Sequence, residues 1–389
     1  MHLVPFSYNL RSLFVRRSST LLTIVGIGAT VAVLSGVLSL QQGFKTLFTS
    51  SGREDVAVFL RPGSTNEGDS VFTLEGTEIL IKSLPEFALD ERGRPLAAAE
   101  RYLAVRRQKL DGGETNVPIR GVQPMSYAVH AELLELVDGR WPAPGADEVI
   151  AGSALTGRIV NTAIGDVITL NTTPFRVVGE MRSEGPFNSE LWGDAERIGV
   201  ALERPLYNRV VGILREGASV AELARRLEDD KRVPAKVVSE LDYLSGQTEA
   251  LSIVLLFLGS FLASIMGVAA VFTGTNTMLA SISARSHEIG IMRAMGFRPF
   301  PVFLAFLSEA LLLGLLGGAV GIAMALPLNG VKTGTTNFQT FTEVAFAFKL
   351  TPTVLATAVT FAVVLGLLGG AWPAWRAARM RPAEALRRG

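Results

Sequence analysis

The sequence predicts a membrane α-helical protein with four transmembrane helices and a large extracytoplasmic α+β domain inserted between helices 1 and 2. Three observations carry that expectation. Four long apolar runs interrupt a chain of 389 residues that is 48% hydrophobic and only 19% charged, with a mean hydropathy of +0.34. So apolar a composition, gathered into blocks, is unlike a soluble protein of this length. Between the first and second runs, about 200 residues alternate short strand-like stretches with turn signals. Arginines crowd those ends of the runs that would share one side of a membrane.

Residues 1–19 read as a cytoplasmic lead-in carrying Arg11, Arg16 and Arg17, and residues 20–45 as the first transmembrane helix. Its apolar part, residues 20–40, offers about 20 residues without a charge, enough to cross a bilayer. A cleaved signal peptide would have an apolar core of roughly 7–15 residues ending in a small-residue site. This run continues instead into Gln41, Gln42, Gly43 and Phe44, so it is expected to remain as a membrane helix. Gly26, Gly28 and Gly36 within it are expected to permit close helix packing.

Residues 46–248 are expected to form the extracytoplasmic α+β domain, large enough for its own core and for two lobes. Residues 55–60 make a strand that stops at Arg61, Pro62 and Gly63. Residues 101–110 run into Asp111-Gly112-Gly113, a hairpin turn leading to residues 116–122. Residues 132–137 look like a short helix. Residues 147–150, 154–159, 165–170, 175–179, 209–214 and 235–238 supply further strands or short pieces, and residues 219–230 an amphipathic helix. Glu184, Glu190 and Asp194 invite comparison with an acid/base pair but read as solvated loop residues.

The second transmembrane helix is expected over residues 249–280, with Asn276 among the threonines near its end. A short cytoplasmic helical connection follows over residues 281–298, and the third transmembrane helix over residues 299–328. Residues 329–350 read as a short extracytoplasmic loop, residues 351–375 as the fourth transmembrane helix, and residues 376–389 as a cytoplasmic basic tail. That tail is either a lipid-headgroup clamp or a hold on a partner. Arginines flank the first helix, follow the second (Arg285, Arg293, Arg298) and follow the fourth (Arg376, Arg379, Arg381, Arg387, Arg388). The opposite short loop has only Lys332 and Lys349, so both termini and the connection at 281–298 are expected in the cytoplasm.

Chemistry is bounded mainly by what the sequence lacks. There is no cysteine, and the three histidines, His2, His130 and His287, are far apart, so no metal site is expected. No phosphate-cradling G-x-x-x-x-G-K-[ST], H-E-x-x-H or G-x-S-x-G occurs, so no catalytic residues are expected and nucleotide hydrolysis is assigned to another polypeptide. A net charge of +1 gives no sign of nucleic-acid binding.

Glu309 lies about eight residues into the third run, roughly 12 Å deep. A carboxylate there is costly and marks either a relay, bonded to Thr275 or Asn276, or a structural polar contact. The spacings Gly314–Gly318, Gly317–Gly321 and Gly366–Gly370 place small residues one turn apart and suggest helix-packing faces, within one subunit or across a dimer.

The connection itself carries the most information. Ile282, Ile289 and Met292 recur at helical spacing, Arg285 and Glu288 are three apart and able to pair, and Gly296 reads as a C-cap ahead of Pro299. Spacing alone leaves two readings: a loop whose arginines fix topology, or an amphipathic docking helix. The pattern R-S-H-E-I-G-I-M-R-A-M-G, from Arg285 to Gly296, resembles the coupling segment of MacB/FtsX-type ABC permeases, which include the lipoprotein-release permeases. Residues 9–12 with 21–28, residues 147–179, Glu309 with Gly317 and Gly318, and residues 377–387 (AARMRPAEALR) are similar to other parts of the same family. The likeness implies that Arg285, Glu288, Gly290, Arg293 and Gly296 couple to a separate ABC ATPase subunit, present in two copies, which binds the ATP and magnesium; this chain then needs no cofactor.

It further implies a second permease copy, as homodimer or paralogous heterodimer, in a bacterial inner membrane, with a periplasmic adaptor or membrane-fusion protein as a further partner. Motion would pass from the ATPases to the extracytoplasmic domain (mechanotransmission) to export or extract a lipid, lipoprotein, peptide or amphiphile. The alternative is an FtsX-like regulator that activates a cell-wall hydrolase or senses a ligand without moving cargo. The chain departs from MacB in showing no N-terminal ATPase segment, and from FtsX in its larger polar domain.

Overall fold

Strand β2 (Ala97–Gln108) is the backbone around which the polar segment folds in the computed structural model, which describes residues 17–337 and 340–382. The arginines of the expected lead-in, Arg11 and Arg16, and residues 383–389 of the basic tail lie outside the described residues. The chain divides into two compact units, one of Phe44–Ser252 with Lys332–Phe346, the other of Met1–Gly43, Ile253–Val331 and Ala347–Gly389.

The first unit holds a ten-stranded sheet in the order β10-β1-β9-β2-β3-β8-β5-β7-β4, with β6 also paired to β7. Its strands are β1 (Val56–Leu60), β3 (Glu114–Val122), β4 (Glu135–Gly139), β5 (Glu148–Gly152), β6 (Val167–Leu170), β7 (Thr173–Arg182), β8 (Leu191–Asp194), β9 (Arg209–Ile213) and β10 (Lys236–Ser239). β2 changes partner along its length. Its start pairs antiparallel with β9, ending at Glu100 opposite Arg209, and from Arg101 onward it pairs with β3 through the Asp111-Gly112-Gly113 turn. Two cores result. One gathers Phe59, Leu80, Phe87, Tyr207 and Val210, the other Ile119, Val149, Phe175, Val177 and Leu191. Each large side chain so buried contributes about 1.5–3 kcal/mol.

Short helices cover this sheet: α2 (Leu74–Ser83), α3 (Pro124–Val129), α4 (Ala195–Ala201) and α5 (Val220–Glu228). Thr73 caps α2 by accepting from the Gly76 N–H at 3.1 Å, and Asp194 caps α4 by accepting from the Glu196 and Arg197 N–H groups. In α5, Leu223 and Leu227 sit four apart and are both buried. Residues 132–137, expected as a helix, instead enter strand β4, which pairs with β7 across a bulge. So short a stretch gains little as an isolated helix, whereas the β7 backbone offers it ready hydrogen bonds.

The stretch expected as a loop at 329–350 contains a two-stranded hairpin, β11 (Lys332–Thr336) and β12 (Glu343–Ala347). It is fastened to the sheet. Lys109 Nζ lies 2.5 Å from Glu343, which also receives Arg158. The Tyr102 hydroxyl lies 3.2 Å from that of Thr342, and Asn116 Nδ2 donates to the Phe341 carbonyl at 3.0 Å.

Among the described residues, four helices are long and apolar enough to cross a membrane: α1 (Arg17–Thr49), α6 (Glu240–Ala284), α8 (Pro299–Ala325) and α9 (Pro352–Ala378). Within the helical unit, α8 and α9 touch backbone to backbone. A Cβ on Gly314 would stand 2.7 Å from the Ala362 carbonyl oxygen, and one on Gly366 2.7 Å from that of Ala310. Only glycine permits this approach. Gly318 and Gly370 lie on the same contact, facing Ala362 and Ala310, whereas Gly317 and Gly321 face Ile27, Gly28 and Val31 of α1. The glycines of α8 therefore serve two neighbours within one chain.

Candidate functional site

The connection between α6 and α8 contains one short helix, α7 (Ser286–Ala294). Arg285 stands at its N-cap with φ −110° and ψ 11°, so the long helix α6 ends there and a new axis begins. At the other end Gly296 takes φ +93°, and its N–H and that of Phe297 donate to the Arg293 and Met292 carbonyls at 3.2 and 3.1 Å. That left-handed glycine closes the helix in the geometry a Schellman cap requires. Arg293 reinforces the end, its Nη1 donating to the Phe297 carbonyl at 2.9 Å.

Beneath α7 lies a buried ion pair. Arg285 Nη1 donates to Glu309 Oε2 at 3.1 Å, while Arg285 Nε stands 3.5 Å from Glu288 and the guanidinium lies 5.3 Å from the Phe306 ring centre. Arg285 is 9% exposed and Glu309 4%. Glu309 thus meets Arg285 rather than the residues expected from sequence. The Thr275 hydroxyl donates to the Gly369 carbonyl at 3.0 Å, and Asn276 lies on the exposed face of α6. A guanidinium is the stronger partner for a buried carboxylate, which explains the preference. Ile289 is fully buried among Met278, Val302, Phe306, Ala374 and Ala377, and Gly290 is buried beside it. The opposite face, with His287, Glu288, Ile291 and Met295, is exposed. α7 is therefore a small platform, fixed below by charge and packing and open above.

A second constellation, in the sheet unit, was not foreseen. Where β2 changes partner, Arg120 donates to Glu190 from Nε at 2.7 Å and to Glu67 from Nη1 at 2.8 Å, and Arg209 Nε donates to Glu100 at 2.9 Å. All five side chains are buried, so Glu190 is no solvated loop residue. Trp192 donates its indole N–H to Glu190 at 2.7 Å. Burial would raise the Glu100 carboxyl, but Arg209, His130 and Arg120 outweigh it and hold the group well below the usual carboxylate range. Glu67 is likewise lowered, with Arg120 and Arg209 overcoming burial. The signal was present in sequence as charges inside apolar strand runs: Glu100 after three alanines, Arg120 after Ile119, and Arg209 before Val210 and Val211. Among the described residues no group of three or more His, Asp or Glu is placed to hold a metal ion.

A sheet-bearing domain combined, among the described residues, with four helices long and apolar enough to cross a membrane is an architecture that fits a membrane permease. A family model described as MacB-like periplasmic core domain matches residues 20–230, and one described as FtsX-like permease C-terminal matches residues 250–382. The chain belongs to the MacB/FtsX-type ABC transporter permeases. It is 26% identical over 404 residues to the pyoverdine export ATP-binding/permease protein PvdT of Pseudomonas fluorescens (strain Pf0-1), covering 97% of this chain and 58% of that protein. It is also 26% identical over 413 residues to the macrolide export ATP-binding/permease protein MacB of Nitrosomonas europaea, with the same coverage of 97% and 58%. The chain thus spans little more than half the length of these relatives. Among solved structures, the periplasmic region of MacB from Actinobacillus actinomycetemcomitans is matched over 51% of this chain and 95% of that one, at 13% identity and a TM-score of 0.37.

Proposed function

We propose that this chain is the transmembrane subunit of an ABC export complex in a bacterial inner membrane, passing the motion of a separate ATPase subunit to its sheet domain outside. The observation that carries the reading is the platform at α7, whose exposed face stands directly above the buried Arg285–Glu309 pair. A push on Ile291 and Met295 reaches α8 through that pair and α9 through the packing of Ile289 against Ala374 and Ala377. Helices move as rigid bodies when their contacts are fixed by packing and charge, so displacement at the platform becomes helix displacement. Arg285, Glu288, Gly290, Arg293 and Gly296 form the coupling element in this account. Arg285 anchors it, Glu288 pairs on its rim, and Gly290 lies buried beside Ile289. Arg293 and Gly296 close the C-terminal end.

The arrangement of arginines supports a cytoplasmic position for α7, and the sheet domain, between α1 and α6, is then extracytoplasmic. Two permease copies and two ATPase copies, with a periplasmic adaptor, complete the assembly proposed. The names of PvdT and MacB describe export of pyoverdine and of macrolides, which favours cargo movement over a regulatory role. The cargo class proposed here is a lipid, lipoprotein, peptide or amphiphile. Purification of the tagged chain from its native membrane in mild detergent tests the assembly. A P-loop ATPase in equal amount is expected in the eluate; its absence from a folded, membrane-extracted sample would overturn the reading.

A further inference from the structure

His130 and Glu240 form a pair that neither the platform nor the charge network around Arg120 uses. His130 closes α3, and Glu240 is the first residue of α6; both are 0% exposed. The imidazole is walled from water by Phe187 and Trp192, with ring centres 4.9 and 5.7 Å away. Its Nε2 lies 3.2 Å from Glu100 Oε1, and its Nδ1 3.7 Å from Glu240 Oε1. Nδ1 and both Glu240 oxygens are buried without a hydrogen-bond partner.

The chemistry of this contact requires a proton. Glu100 is ionised, so Nε2 must carry hydrogen and donate to it. If Nδ1 is then bare, its lone pair faces a bare carboxylate oxygen across a dry gap, which is repulsive. A single added proton turns the same two atoms into a hydrogen bond, whether it resides on Nδ1 or on Oε1. The surrounding charges call for it as well. Glu67, Glu100, Glu190 and Glu240 are set against Arg120, Arg209 and Arg53, the last of which also serves Asp55 and Glu132, leaving an excess of negative charge. Tyr243 on α6 is a further polar group facing the site.

We propose that His130 and Glu240 hold one exchangeable proton that fastens the first turn of α6 to α3, making the start of that helix responsive to the pH around the sheet domain. Raising the pH favours loss of the proton to solvent, which leaves two acceptors opposed, so the fastening is present at low pH and weakened at high pH. α6 is also one of the four helices long enough to span a membrane, so its first turn is where such a response enters the helical part of the chain. The proposal does not depend on the chain being an exporter.

Amide hydrogen exchange of the full chain in lipid nanodiscs tests it, at residues 241–245 between about pH 5 and about pH 9, corrected for intrinsic base catalysis. These amides are expected to exchange about tenfold to a hundredfold faster at the alkaline end, the effect of losing one charge-assisted hydrogen bond. In Glu240→Gln the side-chain amide donates to Nδ1 at every pH, so the step should vanish. It should vanish in His130→Gln too, which keeps the test decisive if the first variant folds poorly. No step in the unsubstituted protein, or a step that persists in either variant, would overturn the proposal.

Discussion

Replacing Glu309 with alanine is expected to leave the chain inserted but destabilised, and to uncouple any ATP-driven movement from the sheet domain. Arg285 would keep its buried position without its main counter-charge, and breaking a buried pair from one side costs about 3–5 kcal/mol. Much of that cost is the desolvated guanidinium deprived of this carboxylate, with Glu288 at 3.5 Å still beside it. The double replacement Arg285→Ala with Glu309→Ala should therefore be less damaging than the sum of the single changes, with a coupling energy of about 0.5–3 kcal/mol. Thermal unfolding in nanodiscs reads the first quantity, and nucleotide-dependent export the second. Recovery of stability in the double variant without recovery of transport is expected, because the link from platform to α8 is then missing. A Glu309→Ala protein as stable as its parent would show that the pair does not hold α7 to α8.

The second large effect is expected at Arg120. Arg120→Met removes the donor that serves Glu67 and Glu190 together, and Glu100 loses a 3.1 Å contact. Glu67 and Glu100 would then share one remaining guanidinium, Arg209, while Glu190 would keep the Trp192 indole, all of them buried. A loss above about 4 kcal/mol is expected, in the range where a domain ceases to fold. The same network sets the response to acid. Glu67 and Glu100 are held below the usual carboxylate range, so their contribution is full above the ordinary carboxylate value of about 4.3 and is lost as pH falls through their lower folded values. The sheet domain should thus stay folded through mild acid and unfold only below about pH 4. Far-ultraviolet circular dichroism during acid titration checks this, and unfolding already above that point would contradict the ionised network.

The four apolar helices were legible because runs of about twenty apolar residues match the span of a bilayer and exceed a signal-peptide core, and the β2–β3 hairpin because Asp111-Gly112-Gly113 punctuates two strand runs. Local pairing was legible as well: Glu288, three residues from Arg285, was readable from helical spacing, and the structure places it 3.5 Å away. Partners remote in sequence were not. Glu309 was read either as a relay bonded to Thr275 or Asn276 or as a structural polar contact, since nothing in a single sequence brings Arg285, 24 residues away, beside it. Glu190 was read as solvated because its two partners, Arg120 and the Trp192 indole, become visible only when β3 and β8 lie side by side. Strand β4 was mistaken for a helix, and the hairpin at residues 332–347 for a loop, because both owe their form to tertiary contacts rather than to propensity.

If α7 is the coupling element, its exposed face meets a nucleotide-driven partner. Because the chain has no cysteine, one introduced at Met295 is a unique attachment point for a short photo-crosslinker. In native membranes the adduct is expected to contain a P-loop ATPase, and its yield to change between nucleotide-free and ATP-bound conditions. Efficient labelling at Met295 that yields no ATPase adduct in either condition would contradict the assignment of α7 as the coupling element.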